Sequence, residues 1–254
     1  MTNELSDISS PAVAALSRDT PIVLPIAAME QHGRHLPLFT DSFLVGEIAR
    51  RAGAELGSGV QFAPVMWLGN SHHHLDFPGT ITAAPRVYLD MLGTMVECFL
   101  WHGFRRIVLL NGHGGNTAPG QQALFELREQ HRKRKDLLLL LANYWTLAGD
   151  VRPAIPGLTQ PQIQHACQWE TAMMLRLRPD LVGDFRAAEP VDFGNPFQPA
   201  MRASIFQDFT QAGHVGDPAS ATAEIGEALL AAYAAGVASL LRRVIAWDGQ
   251  SWSG

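Results

Sequence analysis

Acidic residues and histidines lie close together in several segments of this 254-residue chain. The first segment is Glu30-Gln31-His32, and Asp41 follows nine residues after His32. In an extended loop, Glu30 and His32 would point the same way because they are two residues apart. Carboxylates mixed with imidazoles are a ligand set that zinc or manganese accepts. The alternative is that Glu30 and His32 are solvated loop residues and that Asp41 only caps a helix.

A glycine-rich segment, residues 111–116, places His113 directly after an apolar run at residues 106–110. Its glycines let the backbone approach a ligand closely and leave His113 at the end of the predicted strand. A phosphate-binding loop is the alternative. The spacing matches neither GxGxxG nor GxxxxGK[ST], and no lysine follows, which disfavours that alternative.

A third segment runs from His165 to Glu170, and Glu170 opens an apolar helix. An unpaired carboxylate there is costly to bury unless a metal or a positive partner faces it. The alternative is that Glu170 simply favours a helix N-terminus. A fourth segment carries Ser71 and the run His72-His73-His74, of which at most one or two side chains can point into a site.

The elements that position these residues alternate between strand and helix. Apolar runs predict strands at residues 23–26, 61–66, 106–110 and 137–142. Helical spacing predicts helices from residue 41 or 42 to about 57 and at 85–101, 121–133, 169–177 and 221–246. Residues 146–164 are expected to form a long ordered loop and 179–216 to be largely irregular. The pattern predicts an α/β fold with a mostly parallel sheet covered on both faces, which binds ligands at the carboxyl ends of its strands.

Five donors are expected at that edge of the sheet: Glu30, His32, Asp41, His113 and Glu170. Five ligands exceed one tetrahedral site with an open position. They suit two metal ions if one carboxylate bridges them. Hydrolases use two ions roughly 3.5 Å apart to hold a hydroxide between them.

Composition bounds the remaining possibilities. A hydrophobic share of 47% predicts one compact domain over residues 1–254, and a net charge of −5 with one short basic run argues against nucleic-acid binding. No apolar segment reaches the ~18 residues of a membrane span, and the polar N-terminus does not resemble a signal peptide. We therefore expect a cytoplasmic protein without membrane partners. Cys98 and Cys167 are expected to be reduced.

Taken together and in order, these segments resemble the creatininase (creatinine amidohydrolase) family. The matching blocks are residues 25–33 with 35–38 and 40–41, then 77–80, 111–116, 165 with 170–171, and 213–218. The resemblance implies a three-layer α/β/α fold, a homo-oligomer that is often a hexamer, and two divalent ions, usually zinc or manganese, with iron as a further possibility. It assigns Glu30 and His113 to one ion, His32 and Glu170 to the other, and Asp41 to both.

The activity that this resemblance implies is hydrolysis of a C–N amide bond in a cyclic amide, a small amide or a formamide. A metal-bridging hydroxide would attack the carbonyl carbon, and His165 would protonate the leaving nitrogen. Four residues are expected to line the substrate pocket: Ser71, His74, Gly114 and Gly115. The alternatives are a peptidase acting on a short peptide and a metal-binding member of the family without catalysis.

The chain departs from creatininase itself at positions used for creatinine. Gly114 and Gly115 stand where creatininase has a tyrosine and a glutamate, and Pro161 stands where it has a tryptophan. The differences at these three positions argue against creatinine as the substrate. Gln168 stands where the broader family often has a glutamate, which indicates different surroundings of the metal glutamate or a different substrate. All the predicted metal ligands are present.

Overall fold

The computed structural model describes residues 3–192 and 194–251. The described residues form six α-helices and four β-strands. The strands are β1 (Ile22–Ile26), β2 (Gln61–Phe62), β3 (Arg106–Asn111) and β4 (Leu138–Asn143). The helices are α1 (Ser10–Ala15), α2 (Thr40–Leu56), α3 (Pro85–Trp101), α4 (Thr117–Gln130), α5 (Gln168–Leu177) and α6 (Ala223–Ala246).

All strand pairs in the sheet are parallel, and the strand order is β2-β1-β3-β4. In the register of the central pair, Ile26 at the end of β1 lies opposite Asn111 at the end of β3. The segments that leave these two strands therefore start side by side, and this juxtaposition positions the site described below.

Helices cover both faces of the sheet. Ile22, Leu24 and Ile26 of β1 pack with α3 and α4, whereas Val23 packs in the core formed with α2, α5 and α6. β3 alternates in the same way between the two cores. The predicted three-layer α/β/α fold is thus confirmed, and the unbroken apolar character of β1 and β3 follows from burial on both faces.

Several element boundaries differ from the sequence predictions. β2 has two residues, and Met66 forms only an isolated bridge to Ile26. α4 begins at Thr117 rather than near 121, because Pro119 lies in its first turn, where a missing N–H leaves no hydrogen bond unmade. Asp41 does not cap α2, whose N-cap residue is Phe39. α1 was not predicted.

By length and composition α6 is apolar enough to cross a membrane, so the expectation that no apolar segment reaches the length of a membrane span was wrong. In the structure α6 packs against α2 and α5 and contributes residues such as Leu229, Tyr233 and Val237 to the core. The apolar stripe of α6 is therefore buried in the protein core.

We predict that Gly226→Ala lowers the free energy of unfolding by about 1–3 kcal/mol, because overpacking at a helix contact costs this much. A Cβ atom on Gly226 in α6 would lie 1.9 Å from the carbonyl oxygen of Ala172 in α5. The matched control is Gly93→Ala in α3, where a Cβ would meet nothing within 4 Å. Urea unfolding measures both variants, and equal stabilities would contradict the close approach of α5 and α6.

Candidate metal centre

Four separate segments bring side chains to the carboxyl end of the sheet. Glu30 and His32 follow β1, and His113 follows β3. Asp41 and Glu170 lie in the first turns of α2 and α5, where the partial positive charge of a helix N-terminus stabilises a carboxylate. All five side chains are buried. The structure thus brings together the five metal ligands expected from the sequence.

The Asp41 carboxylate lies between two histidines. Its Oδ1 atom is 3.0 Å from Nε2 of His32, and its Oδ2 atom is 3.1 Å from Nδ1 of His113. Nδ1 of His113 is also 3.3 Å from Oε1 of Glu30. One carboxylate therefore faces two different groups of candidate ligands through its two oxygens.

The candidate ligand atoms fall into overlapping groups, each with its atoms within 4.8 Å of one another. The groups are Glu30 with Asp41 and His113, His32 with His165 and Glu170, and Glu30 with His74 and His165.

The donor set fits divalent cations. Although Nδ1 of His113 lies nearby, both carboxylate oxygens of Glu30 and Oδ2 of Asp41 are, among the described residues, buried atoms that accept no hydrogen bond. Buried polar atoms in this state are costly unless another group compensates them. Carboxylate oxygens and imidazole nitrogens are the ligands that zinc and manganese accept.

The carboxylates and imidazoles shift one another's pKa values. Burial opposes the charged form of Glu30, but the facing imidazole of His113 holds its pKa well below the ordinary range. Burial likewise opposes the charged form of His113, but Glu30 and Asp41 raise its pKa well above the ordinary value. In the metal-free protein, Glu30 and His113 therefore favour a pair of a carboxylate and a protonated imidazole.

The second half of the site shows the same competition. Burial lowers the pKa of His32, but the Asp41 carboxylate outweighs burial and raises it to about 10. Burial raises the pKa of Glu170 to about 8, because the partly compensating His32 charge does not offset the loss of water. Near neutral pH, His32 thus carries a proton on Nε2, the nitrogen that faces Asp41 and would have to bind a metal.

His165 and His74 behave differently. Burial, together with the neighbouring His32 and His74, lowers the pKa of His165 well below its ordinary value. Burial also lowers the pKa of His74 to about 3. Both imidazoles are therefore neutral. A neutral His165 begins as a proton acceptor, and the expectation that it protonates the leaving nitrogen stays a prediction.

A strained peptide unit supports His165 and Glu170. Ala166 has a positive φ of 51°, a conformation that L-residues rarely adopt. Its N–H donates to the Glu170 carboxylate, and its carbonyl oxygen accepts a hydrogen bond from Nε2 of His35. Hydrogen bonds at both ends thus hold this unit in place.

The site opens into a cavity of about 280 Å³. His74, Gly114 and Gly115 line it, in agreement with the sequence prediction. Ser71 is fully buried and contacts Nε2 of His113 at 3.3 Å through its hydroxyl, which places it behind that histidine rather than at the cavity wall. Of the three successive histidines, His73 and His74 line the cavity.

Several residues of the cavity wall were not predicted from the sequence: Trp145, Ile163, Gln164 and Phe206. Phe206 stacks on His74 with a centroid distance of 4.4 Å and contacts His165 edge-on at 4.6 Å. It lies in the segment expected to be irregular, where a single aromatic residue gives no periodic signal.

Comparisons with known proteins identify the relatives of this chain. A family model described as creatinine amidohydrolase matches residues 6–241. A mycofactocin precursor peptide peptidase from Mycobacterium tuberculosis is 32% identical, with 97% of this chain and 93% of that protein covered. A creatinine amidohydrolase from Pseudomonas putida is 28% identical, with 88% and 89% covered. A solved mutant creatininase described as Zn-Zn type has a TM-score of 0.83 and 23% identity, with 97% of this chain and 100% of that chain covered.

The fold, the site and these relatives define a metal-dependent hydrolase that acts on carbon–nitrogen amide bonds. The chain belongs to the creatininase family, as the family model covers nearly its whole length. The resemblance stated from the sequence motifs is thereby confirmed.

We predict that Gly115→Ala reduces the metal content of the purified protein several-fold. A Cβ atom on Gly115 would lie 2.3 Å from the carbonyl oxygen of Asn70 and 2.5 Å from Nε2 of His113, so the His113 ring must move. Gly114→Ala is the matched control, because a Cβ there would meet nothing within 4 Å. Elemental analysis measures both, and an unchanged metal content in Gly115→Ala would contradict the close packing around His113.

We also predict that zinc binding to the metal-free protein releases protons and strengthens as the pH rises from 6 to 9. The raised pKa values of His32 and His113 mean that both imidazoles must lose a proton before they bind a cation.

Calorimetric titration in two buffers of different ionisation enthalpy measures this release. His131→Gln, which removes a histidine paired with Glu97 away from the site, should leave the release unchanged. Identical binding enthalpies in the two buffers would show that these histidines are neutral in the metal-free protein.

Proposed function

We propose that the protein is a binuclear metal-dependent amidohydrolase that cleaves a small amide or formamide. The observation that carries this proposal is the position of Asp41, whose two carboxylate oxygens face His32 and His113 separately. In this proposal Glu30 and His113 hold one ion, His32 and Glu170 hold the other, and Asp41 binds both. Zinc and manganese suit these ligands, and iron is the third candidate.

Bound divalent cations supply Lewis-acid polarisation of the amide carbonyl and lower the pKa of a nucleophilic water. The protein supplies the proton transfers. Nε2 of His165 donates to the main-chain oxygen of Gln31 at 2.7 Å, so Nδ1 carries the lone pair and lies 3.5 Å from Oε1 of Glu30. His165 would accept at Nδ1 the proton that the nucleophilic water loses and then pass it to the leaving nitrogen, whose bond to the carbonyl carbon breaks.

The cavity wall supports a small substrate without a large negative charge. Among the described residues that line the cavity, none is lysine or arginine. Trp145, Ile163 and Phe206 give apolar surface, while Gly114 and Gly115 leave room beside His113. The substrate is therefore proposed to be a neutral or cationic amide, and the glycines continue to argue against creatinine.

A peptidase that acts on a short peptide is the second candidate. The observation that favours it is the similarity to a peptide peptidase over 97% of this chain. A panel of cyclic amides, formamides and short peptides, assayed with and without a chelator, separates the two candidates. A protein that retains metal but cleaves no member of the panel would instead support a non-catalytic member of the family.

We predict that Asp41→Ala loses both metal and activity, because it removes the carboxylate shared by the two ligand groups. Wild-type protein should contain about two ions per chain, as a two-metal site requires. Asp90→Ala, which removes an exposed aspartate of α3, is the control and should keep both properties. Elemental analysis and the amide panel on the same samples measure them. A fully active, metal-loaded Asp41→Ala protein would refute the bridging role.

The expectations of a cytoplasmic location and of a hexamer rest on composition and on family resemblance respectively. Both stay predictions, as does the identity of the metal.

A further inference from the structure

Gln31 lies in sequence between the candidate metal ligands Glu30 and His32, but its side chain makes a separate set of contacts. The residue is 4% exposed, and its backbone N–H donates to the Thr80 hydroxyl. Its Oε1 atom accepts a hydrogen bond from the backbone N–H of Gly33 at 2.9 Å. A backbone N–H can only donate, so the atom facing Gly33 must be the amide oxygen. The orientation of the Gln31 amide is thereby fixed.

The other end of this amide contacts His74. Nε2 of Gln31 lies 2.8 Å from Nδ1 of His74. Because an amide nitrogen can only donate, Nδ1 of His74 must be the acceptor and carry no proton. The proton of the neutral imidazole is therefore on Nε2, which lies 3.5 Å from Oε1 of Glu30.

This proton arrangement excludes His74 from one of the candidate metal groups. His74 satisfies the distance requirement for a group with Glu30 and His165. Its Nδ1 lone pair is occupied by Gln31, and its Nε2 carries a proton, so neither nitrogen can bind a cation. At 3.5 Å the Nε2–H group is also too far from Glu30 for a normal hydrogen bond. The Nε2–H group of His74, buried at the wall of the cavity, is therefore free to donate to another acceptor.

The main chain of Gln31 orients the second neutral imidazole in the opposite way. Nε2 of His165 lies 2.7 Å from the main-chain oxygen of Gln31 and 3.1 Å from its amide nitrogen. The shorter contact, to an atom that can only accept, requires a proton on Nε2 of His165. Gln31 therefore leaves a lone pair of His165 and an N–H of His74 both facing Oε1 of Glu30.

We propose that Gln31 is a positioning residue that keeps the proton of His74 on Nε2, so that this N–H donates to the carbonyl oxygen of the bound amide. His74 thus stabilises the negative charge that develops on that oxygen, as a preorganised donor does in acyl transfer. The role of His74 toward substrate rests on the proposed amide hydrolysis. The position of its proton does not.

Nuclear magnetic resonance of zinc-loaded protein labelled with ¹⁵N-histidine tests the proton position. Long-range ¹H–¹⁵N correlations distinguish the protonated from the unprotonated ring nitrogen, and the His74 signals are those lost in His74→Phe. We expect Nδ1 unprotonated and Nε2 protonated in the wild type. A proton on Nδ1 of His74 in the wild type would overturn the proposal.

Gln31→Glu tests the cause. The carboxylate replaces a donor with an acceptor opposite Nδ1, so we expect a proton to appear on Nδ1 of His74. Gln61→Glu is the matched control, because Gln61 is equally buried but lies at the first residue of β2, at the opposite end of the strands from the site. Unchanged His74 signals in Gln31→Glu would show that Gln31 does not set the proton position.

Kinetics and metal content test the role toward substrate. His74→Phe keeps an aromatic ring against Phe206 but removes the N–H, so we expect kcat to fall about 100-fold with little change in KM. Its metal content should equal that of the wild type. Loss of metal would make His74 a ligand, and an unchanged kcat would remove its role as a donor, so either result overturns the proposal. If the wild type cleaves no amide, the proposed function fails while the resonance data still decide the position of the proton.

Discussion

Three carboxylates buried at one end of a parallel sheet are the constraint on which the rest of the structure depends. Glu30, Asp41 and Glu170 have lost their water, and they repel one another across the same cavity. Desolvation and like charge both disfavour this arrangement, so it persists only where positive groups compensate it. His32 and His113 supply part of that compensation, and divalent cations fit the remaining oxygen atoms.

The fold meets this constraint with few elements. The adjacent ends of β1 and β3 place Glu30 and His113 next to each other. Asp41 and Glu170 lie in the first turns of the helices α2 and α5. Helix dipoles favour the two carboxylates in these first turns. The hydrogen bonds of the Ala166 peptide unit and of Gln31 then fix the orientation of groups that the elements alone would leave free to rotate.

The sequence predicted the features that depend on local pattern. The apolar runs located β1 and β3, and helical spacing gave α3 with its observed limits, because each has a strong period or an uninterrupted core face. The candidate ligands could be proposed because their residue types are costly to bury without a function. Phe206 and the amide of Gln31 could not, since their roles depend on contacts with His74 from another segment. The length of β2 was also predicted wrongly. Of the residues that follow it, Met66 forms only an isolated bridge to β1, which the apolar character of residues 61–66 does not reveal.

The separation of the ligands along the chain has a consequence for folding. Glu30 and Glu170 are 140 residues apart (170 − 30), and the segments between them include most of the sheet. An unfolded chain cannot present these side chains together, so a cation that needs the whole set binds the native state alone. By mass action, the stability of the protein then rises with the free concentration of that cation. If the site holds metal as proposed, the supply of that cation sets the stability of the fold as well as the completeness of the site.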